Sequence, residues 1–179
     1  MEISVYIATS LDGFIARENG ALDWLPGSDG AGNDPEDYGY RTFMDSVDAL
    51  VMGRRTYEIV RGLGEWPYGE KPVIVLSSTL AHLDPAIPAT VSLRNTSPEQ
   101  LCEELESAGV GHLYIDGGVT VQRFLDAGLV TRMIITRIPV LLGQGIPLFG
   151  PLKKDIPLEH VKTLAFHNGL VQSHYRLPH

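Results

Sequence analysis

Apolar residues in this chain come in short bursts separated by turn chemistry, and the bursts follow two different periods. Ile3 to Ala8 is a β-rich run that reaches the turn Asp12-Gly13, with Phe14-Ile15-Ala16 as a short extension. Ala49 to Met52, Pro72 to Leu76 and His112 to Ile115 are brief apolar runs bounded by polar residues, the pattern of buried strands. Val91-Ser92-Leu93 predicts a short strand and Val130 to Val140 a long one. Between them the spacing turns helical. Tyr40, Phe43, Met44 and Val47 form one apolar stripe. Asp34-Pro35-Glu36-Asp37 ahead of it reads as a helix start: an N-cap residue, proline at the first position, then acids. Thr56 to Arg61 predicts a short helix. Ser97-Pro98-Glu99-Gln100 predicts another, with a Ser97/Gln100 capping box, Leu101 and Leu105 on one face, and Gly109 as its stop. Val119 to Ala127 predicts a further helix. Residues 26–35 carry loop chemistry, and 158–166 and 170–177 read as an antiparallel pair around His167-Asn168-Gly169.

Strands that alternate with helices and then give way to strands describe an α/β protein. Its sheet should be mostly parallel, with an antiparallel C-terminal edge. No internal repeat or linker interrupts the pattern, so one domain over 1–179 is expected.

Composition narrows the chemistry. The 179 residues are 44% apolar, enough for a sizeable core. A formal net charge of −8 argues against a nucleic-acid partner, which needs a basic face. It leaves room for a phosphorylated small molecule held by a few local arginines. Cys102 is the one cysteine, so neither an intrachain disulfide nor a cysteine zinc site is expected; it falls in a predicted helix and reads as a structural thiol. The six histidines show no HxxxH or HExxH spacing, so no metal is expected. There is no signal-peptide pattern at Met1–Ile7 and no apolar run of the roughly 20 residues that span a bilayer. A soluble, cytoplasmic protein with no membrane partner is the expectation.

In open α/β sheets, ligands gather at the carboxyl ends of the strands. Three predicted strand ends carry polar or glycine-rich chemistry. At Gly53-Arg54-Arg55-Thr56, a glycine removes the Cβ from the backbone's path and two arginines flank a helix start, which suits an anion. The same residues also make an ordinary strand–helix corner with solvated arginines. Ser77-Ser78-Thr79 offers hydroxyls to phosphate or ribose, or simply a strand-end turn. Asp116-Gly117-Gly118-Val119-Thr120-Val121 places a diglycine before a helix, either for a pyrophosphate or as a tight connection. There is no GxGxxG, no GxxxxGK[ST] and no GxSxG.

Taken in order, these segments resemble the dihydrofolate reductase superfamily. The nearer likeness is to the C-terminal reductase domain of bifunctional riboflavin-biosynthesis deaminase/reductases. Ser10-Leu11-Asp12-Gly13 resembles an S-x-D-G opening, and Leu50 to Glu58 resembles V-x-M-G-R-x-T-[WY]-E. Val73–Ser78, Tyr114–Gly118, Leu125–Thr136 and Val140–Phe149 resemble the later strands, the diglycine turn and the P-x-x-x-G-x-G-x-x-L-F tail. The resemblance implies a three-layer α/β/α fold and an NADPH-dependent reductase, usually a homodimer. By that likeness Arg54, Arg55, Ser77 and Ser78 surround the adenosine 2′-phosphate. Thr56, Gly118, Val119, Thr120 and Val121 hold the pyrophosphate and ribose, with Gly53 and Gly117 in the turns. Ala8 and Ile15 face the nicotinamide. Asp37 falls at the pterin-binding carboxylate and Thr136 at its partner, although Asp37 is also an ordinary first-turn acid within reach of Arg41. The implied substrate is pterin- or pyrimidine-like, as in dihydrofolate or ribosylamino-uracil reduction. A phosphoribosyl substrate wants further basic residues, for which Arg123, Arg132 and Arg137 are candidates. The rival expectations are a nucleotide-binding module without catalysis and a phosphosugar-binding protein.

Overall fold

Each strand buries both of its faces when helices lie on either side of a sheet, and the near-continuous apolar runs of this chain have that outcome. A computed structural model describes residues 1–26 and 36–178. In chain order the elements are β1 (Glu2–Ser10), β2 (Phe14–Ala16), α1 (Tyr40–Ser46), β3 (Ala49–Gly53), α2 (Arg54–Arg61), β4 (Val73–Leu76) and β5 (Val91–Arg94). They continue with α3 (Pro98–Ser107), β6 (His112–Asp116), α4 (Gly118–Asp126), β7 (Arg132–Ile138), β8 (Ile146–Pro147), β9 (Glu159–Ala165) and β10 (Val171–Arg176).

The main sheet runs β5-β4-β3-β6-β1-β7-β10-β9. Its first six strands are parallel, and β10 and β9 close the edge antiparallel. Strand parity then sorts the core into two layers. Val51, Ile74, Leu113, Ile115 and Met133 pack against Leu101 of α3 and Val121 and Phe124 of α4. The alternate residues Leu50, Met52, Val75, Tyr114 and Ile134 pack against Phe43 of α1 and Tyr57 of α2. Phe124 and Leu113 are wholly buried. Side chains of this size stabilise the fold by about 1.5–3 kcal/mol each through apolar burial.

Local signals operate as their chemistry requires. Ser97 caps α3 by accepting the Gln100 N–H at 3.3 Å, with Pro98 in the first turn. The Ser10/Asp12 pair is a staple: Ser10 Oγ donates to Asp12 at 2.6 Å, and Asp12 accepts the N–H of Gly143 at 2.8 Å. That ties the first turn to the loop before β8, which pairs with β2.

Helix α1 departs from expectation. It starts at Tyr40, because Tyr38 (φ 56°) and Gly39 (φ 82°) are left-handed and no helical path runs through them from Asp37. The expected start at Asp34-Pro35 and most of the expected loop at 26–35 lie outside the described residues. The β2–β8 pair was only half foreseen, as Ile146-Pro147 is too short to show a period.

Candidate functional site

Parallel pairing sets the carboxyl ends of β1, β3, β4 and β6 along one edge of the sheet. A cleft of about 510 Å³ opens there, bounded also by the β2 and β8 segments. Its size falls in the range of small-molecule sites.

At one end two helices begin side by side. α2 starts at Arg54 directly after β3, and α4 starts at Gly118 after β6. Their glycines have a use that the sequence did not reveal. A Cβ on Gly53 would lie 2.9 Å from Thr120 Oγ1, and one on Gly117 would collide with the Thr56 hydroxyl. Each helix start thus fits its threonine against the other's glycine. Gly117 also needs its φ of 90°, and a Cβ on Gly118 would meet the Pro147 carbonyl oxygen at 2.9 Å. The result is two adjacent helix starts, whose first N–H groups have no partner within their helices, in one cleft with Arg54, Arg55 and Arg123. Among the described residues Arg54 makes only a long 3.8 Å contact to Glu58, both side chains being about half exposed. Ser77 and Ser78 line the cleft as well, although the Ser77 hydroxyl accepts the N–H groups of Thr79 (3.1 Å) and Leu80 (2.9 Å). Its first task is to shape the turn.

The other end is aromatic and acidic. Asp116, the last residue of β6, points to the α1/α2 side with Tyr114, and both line the cleft with Tyr6 and Tyr68. Gly117 N–H donates to Asp116 Oδ1 at 2.8 Å. Burial outweighs that bond and pushes the Asp116 carboxyl up to about 6. The surrounding phenols stay neutral: burial, then the Asp116 charge, raises Tyr40 to about 12 and holds Tyr68 and Tyr114 higher still. Tyr114 Oη donates to the Tyr6 carbonyl at 2.9 Å, and Tyr6 Oη donates to the Tyr38 carbonyl at 2.7 Å. Leu22, Leu25, Ile59 and Leu63 also line the cleft.

The geometry therefore gathers Ala8, Ile15, Gly53, Arg54, Arg55, Thr56, Ser77, Ser78, Gly117, Gly118, Val119 and Thr120 around one cleft. Val121 is elsewhere: it is wholly buried and packs into the α4 side of the core, since the residue after Thr120 turns away from the cleft. Asp37 does not line the cleft either. It is exposed and accepts the N–H groups of Gly39 (2.9 Å) and Arg41 (3.1 Å), which hold its carboxyl below the usual range. Thr136 is buried beside the cleft, where its Oγ1 accepts from Gln172 Nε2 at 3.0 Å. The same Gln172 nitrogen reaches the Tyr38 carbonyl (3.0 Å) and Tyr6 Oη (3.2 Å). A carbonyl only accepts, so the Gln172 oxygen must face His174, whose Nε2 donates to it at 2.8 Å. The acid that does line the cleft, Asp116, was read from sequence only as part of a diglycine turn. Its signal was available: a carboxylate ending a buried strand, two residues after a tyrosine of the same face.

Two packed helical layers around this sheet, with a nucleotide-sized cleft at the strand ends, define a dihydrofolate reductase-like α/β protein. The chain belongs to the family of RibD C-terminal domains, whose profile matches residues 2–172. It is 36% identical over 173 residues to YwjB of Bacillus subtilis strain 168, covering 96% of this chain and 95% of that protein. A putative riboflavin biosynthesis protein from Shewanella sp. PV-4 superposes with a TM-score of 0.92 at 39% identity, over 100% of both chains. The diaminohydroxyphosphoribosylaminopyrimidine deaminase/5-amino-6-(5-phosphoribosylamino)uracil reductase of Thermotoga maritima shares the fold at a TM-score of 0.73. Its identity is 15%, over 99% of this chain and 56% of that one. Among the described residues, no helix is long and apolar enough to cross a membrane.

Proposed function

We propose that this protein is an NADPH-dependent reductase of a small, planar, pterin- or pyrimidine-like compound. The observation that carries the reading is that one cleft joins arginines at two helix starts to a tyrosine cluster around Asp116, the one acid that lines it among the described residues. The first end suits NADPH. Thr56, Gly118 and Thr120 at the paired helix starts would hold the pyrophosphate, and Arg54 and Arg55 the adenosine 2′-phosphate. When bound, the cofactor supplies a hydride.

The chain's own residues supply placement and a proton. Gly117 occupies Asp116 Oδ1, which leaves Oδ2 without a protein partner among the described residues. With its carboxyl raised to about 6, Asp116 is ionised at neutral pH, where it accepts a ring N–H, and takes up a proton more readily than an ordinary carboxylate. Leu22, Leu25, Ile59 and Leu63 would add apolar surface to the cleft.

Calorimetric titration and steady-state oxidation of NADPH with pterin and pyrimidine compounds test the reading. Arg54→Ala should weaken NADPH by about 10- to 100-fold, the worth of one charge-assisted hydrogen bond, and leave NADH nearly unchanged. Equal losses for both cofactors would remove Arg54 from the 2′-phosphate. Tight NADPH binding with no turnover on any such compound would favour a binding module. We propose in addition that two copies associate, as the family resemblance implies.

A further inference from the structure

The charges of the cleft are distributed unevenly. Of the chain's 14 lysines and arginines, only Arg54, Arg55 and Arg123 line it. All three sit on the two helices whose starts form the anion-binding end. Around Asp116 stand Tyr40, Tyr68 and Tyr114, which feel its charge, and among the described residues no lysine, arginine or histidine acts on its carboxyl. The segment 27–35, outside the described residues, contains no basic residue in its sequence. Arg132 and Arg137, the other residues suited to a substrate phosphate, are not in the cleft: Arg132 pairs with Glu2 at the opposite end of the sheet (3.4 Å), and Arg137 is exposed on β7. A phosphate near Asp116 would meet a carboxylate in a poorly solvated space with no cation to offset it.

We infer that the compound reduced here is an unphosphorylated planar nitrogen heterocycle, neutral or cationic, whose N–H edge is read by Asp116 and whose faces meet Tyr6, Tyr68 and Tyr114. A phosphoribosyl substituent is selected against. This rests on the reading that the arginine end takes the cofactor; with that end filled, no basic group remains for a substrate phosphate. Tyr68 fits the role, since its hydroxyl has no protein partner among the described residues while those of Tyr6 and Tyr114 are committed. The neutral phenols and the Asp116 carboxylate reward a donor edge and penalise an anion.

The test uses a matched pair of ligands. Wild-type protein is first titrated with NADPH alone. The NADPH-loaded protein is then titrated with 5-amino-6-(5-phosphoribosylamino)uracil and with the same compound after removal of its phosphate. The dephosphorylated form should bind about tenfold or more tightly than the phosphorylated one. Asp116→Asn, checked for folding by its NADPH titration, should bring that ratio towards one by removing the repelling charge. Equal or tighter binding of the phosphorylated form overturns the inference, as does binding of neither compound. An undiminished preference in Asp116→Asn removes the carboxylate from substrate selection. Failure of wild-type protein to bind NADPH sinks the cofactor reading itself, and the inference with it, in a separate measurement.

Discussion

Asp116 and Asp37 show how two carboxylates acquire different roles from position alone. Asp37 is exposed, and two backbone N–H groups hold it ionised. Asp116 ends a buried strand among phenols, so its charged form is costly. The family likeness singled out Asp37 by its place along the chain, whereas burial, which sets Asp116 apart, is a tertiary property. The cost of Asp116 has a signed consequence. Its folded-state carboxyl, at about 6, lies above the ordinary 3.8, so the native state holds a proton that the unfolded chain releases between these values. Its destabilisation is absent below about pH 4, grows as pH rises through about 6, and is complete above that. Asp116→Asn should therefore raise stability in urea unfolding at pH 7–8, by on the order of 3 kcal/mol, with the gain vanishing near pH 4. The same substitution should impair reduction. A gain independent of pH would assign it to packing and not to the buried charge.

At the scale of elements, the paired starts of α2 and α4 are the feature that strand and helix periods cannot express. Gly53 and Gly117 were legible as strand-end glycines, and a ligand's approach was one reason for them. The structure gives each a neighbour from the protein itself, Thr120 and Thr56. The threonines and glycines lie far apart in sequence, so their reciprocity emerges only when β3 and β6 pair. A side chain at 117 must adopt φ 90° and displace Thr56. Gly117→Ala should cost about 1–3 kcal/mol in urea unfolding, the range for strained left-handed backbone. It should also weaken NADPH by spreading the two helix starts. Gly128→Ala is the control: it too has a positive φ, but nothing lies within 4 Å of its Cβ. Comparable loss of NADPH affinity in both variants would reduce the effect to backbone strain and remove the role of helix spacing.

Across the whole molecule, the parallel strands carry the cleft and the antiparallel edge braces it. Gln172 on β10 ties Thr136, Tyr6 and the Tyr38 carbonyl together, so the wall beside α1 is fastened to the C-terminal hairpin. The hairpin was legible from its turn and alternation. The fastening was not, because one buried glutamine in a strand has no periodic signature. Beyond β10 the sheet ends in β9, every residue of which is exposed. On β9 Val161 is 48% exposed and Leu164 40%, with Leu158 just before it at 44%, and among the described residues no strand lies beside its outer backbone. An open edge carrying apolar side chains invites pairing with another chain, and isolated proteins usually blunt it with charge. The proposed association of two copies would use this edge. Light scattering on an eluting column should then give twice the 19.6 kDa chain mass. Val161→Lys should shift the mass towards the single chain while leaving NADPH affinity intact, because Val161 lies outside the cleft. A variant that stays dimeric would move the contact away from β9, and a wild-type chain that elutes as a monomer at micromolar concentration would dismiss the association.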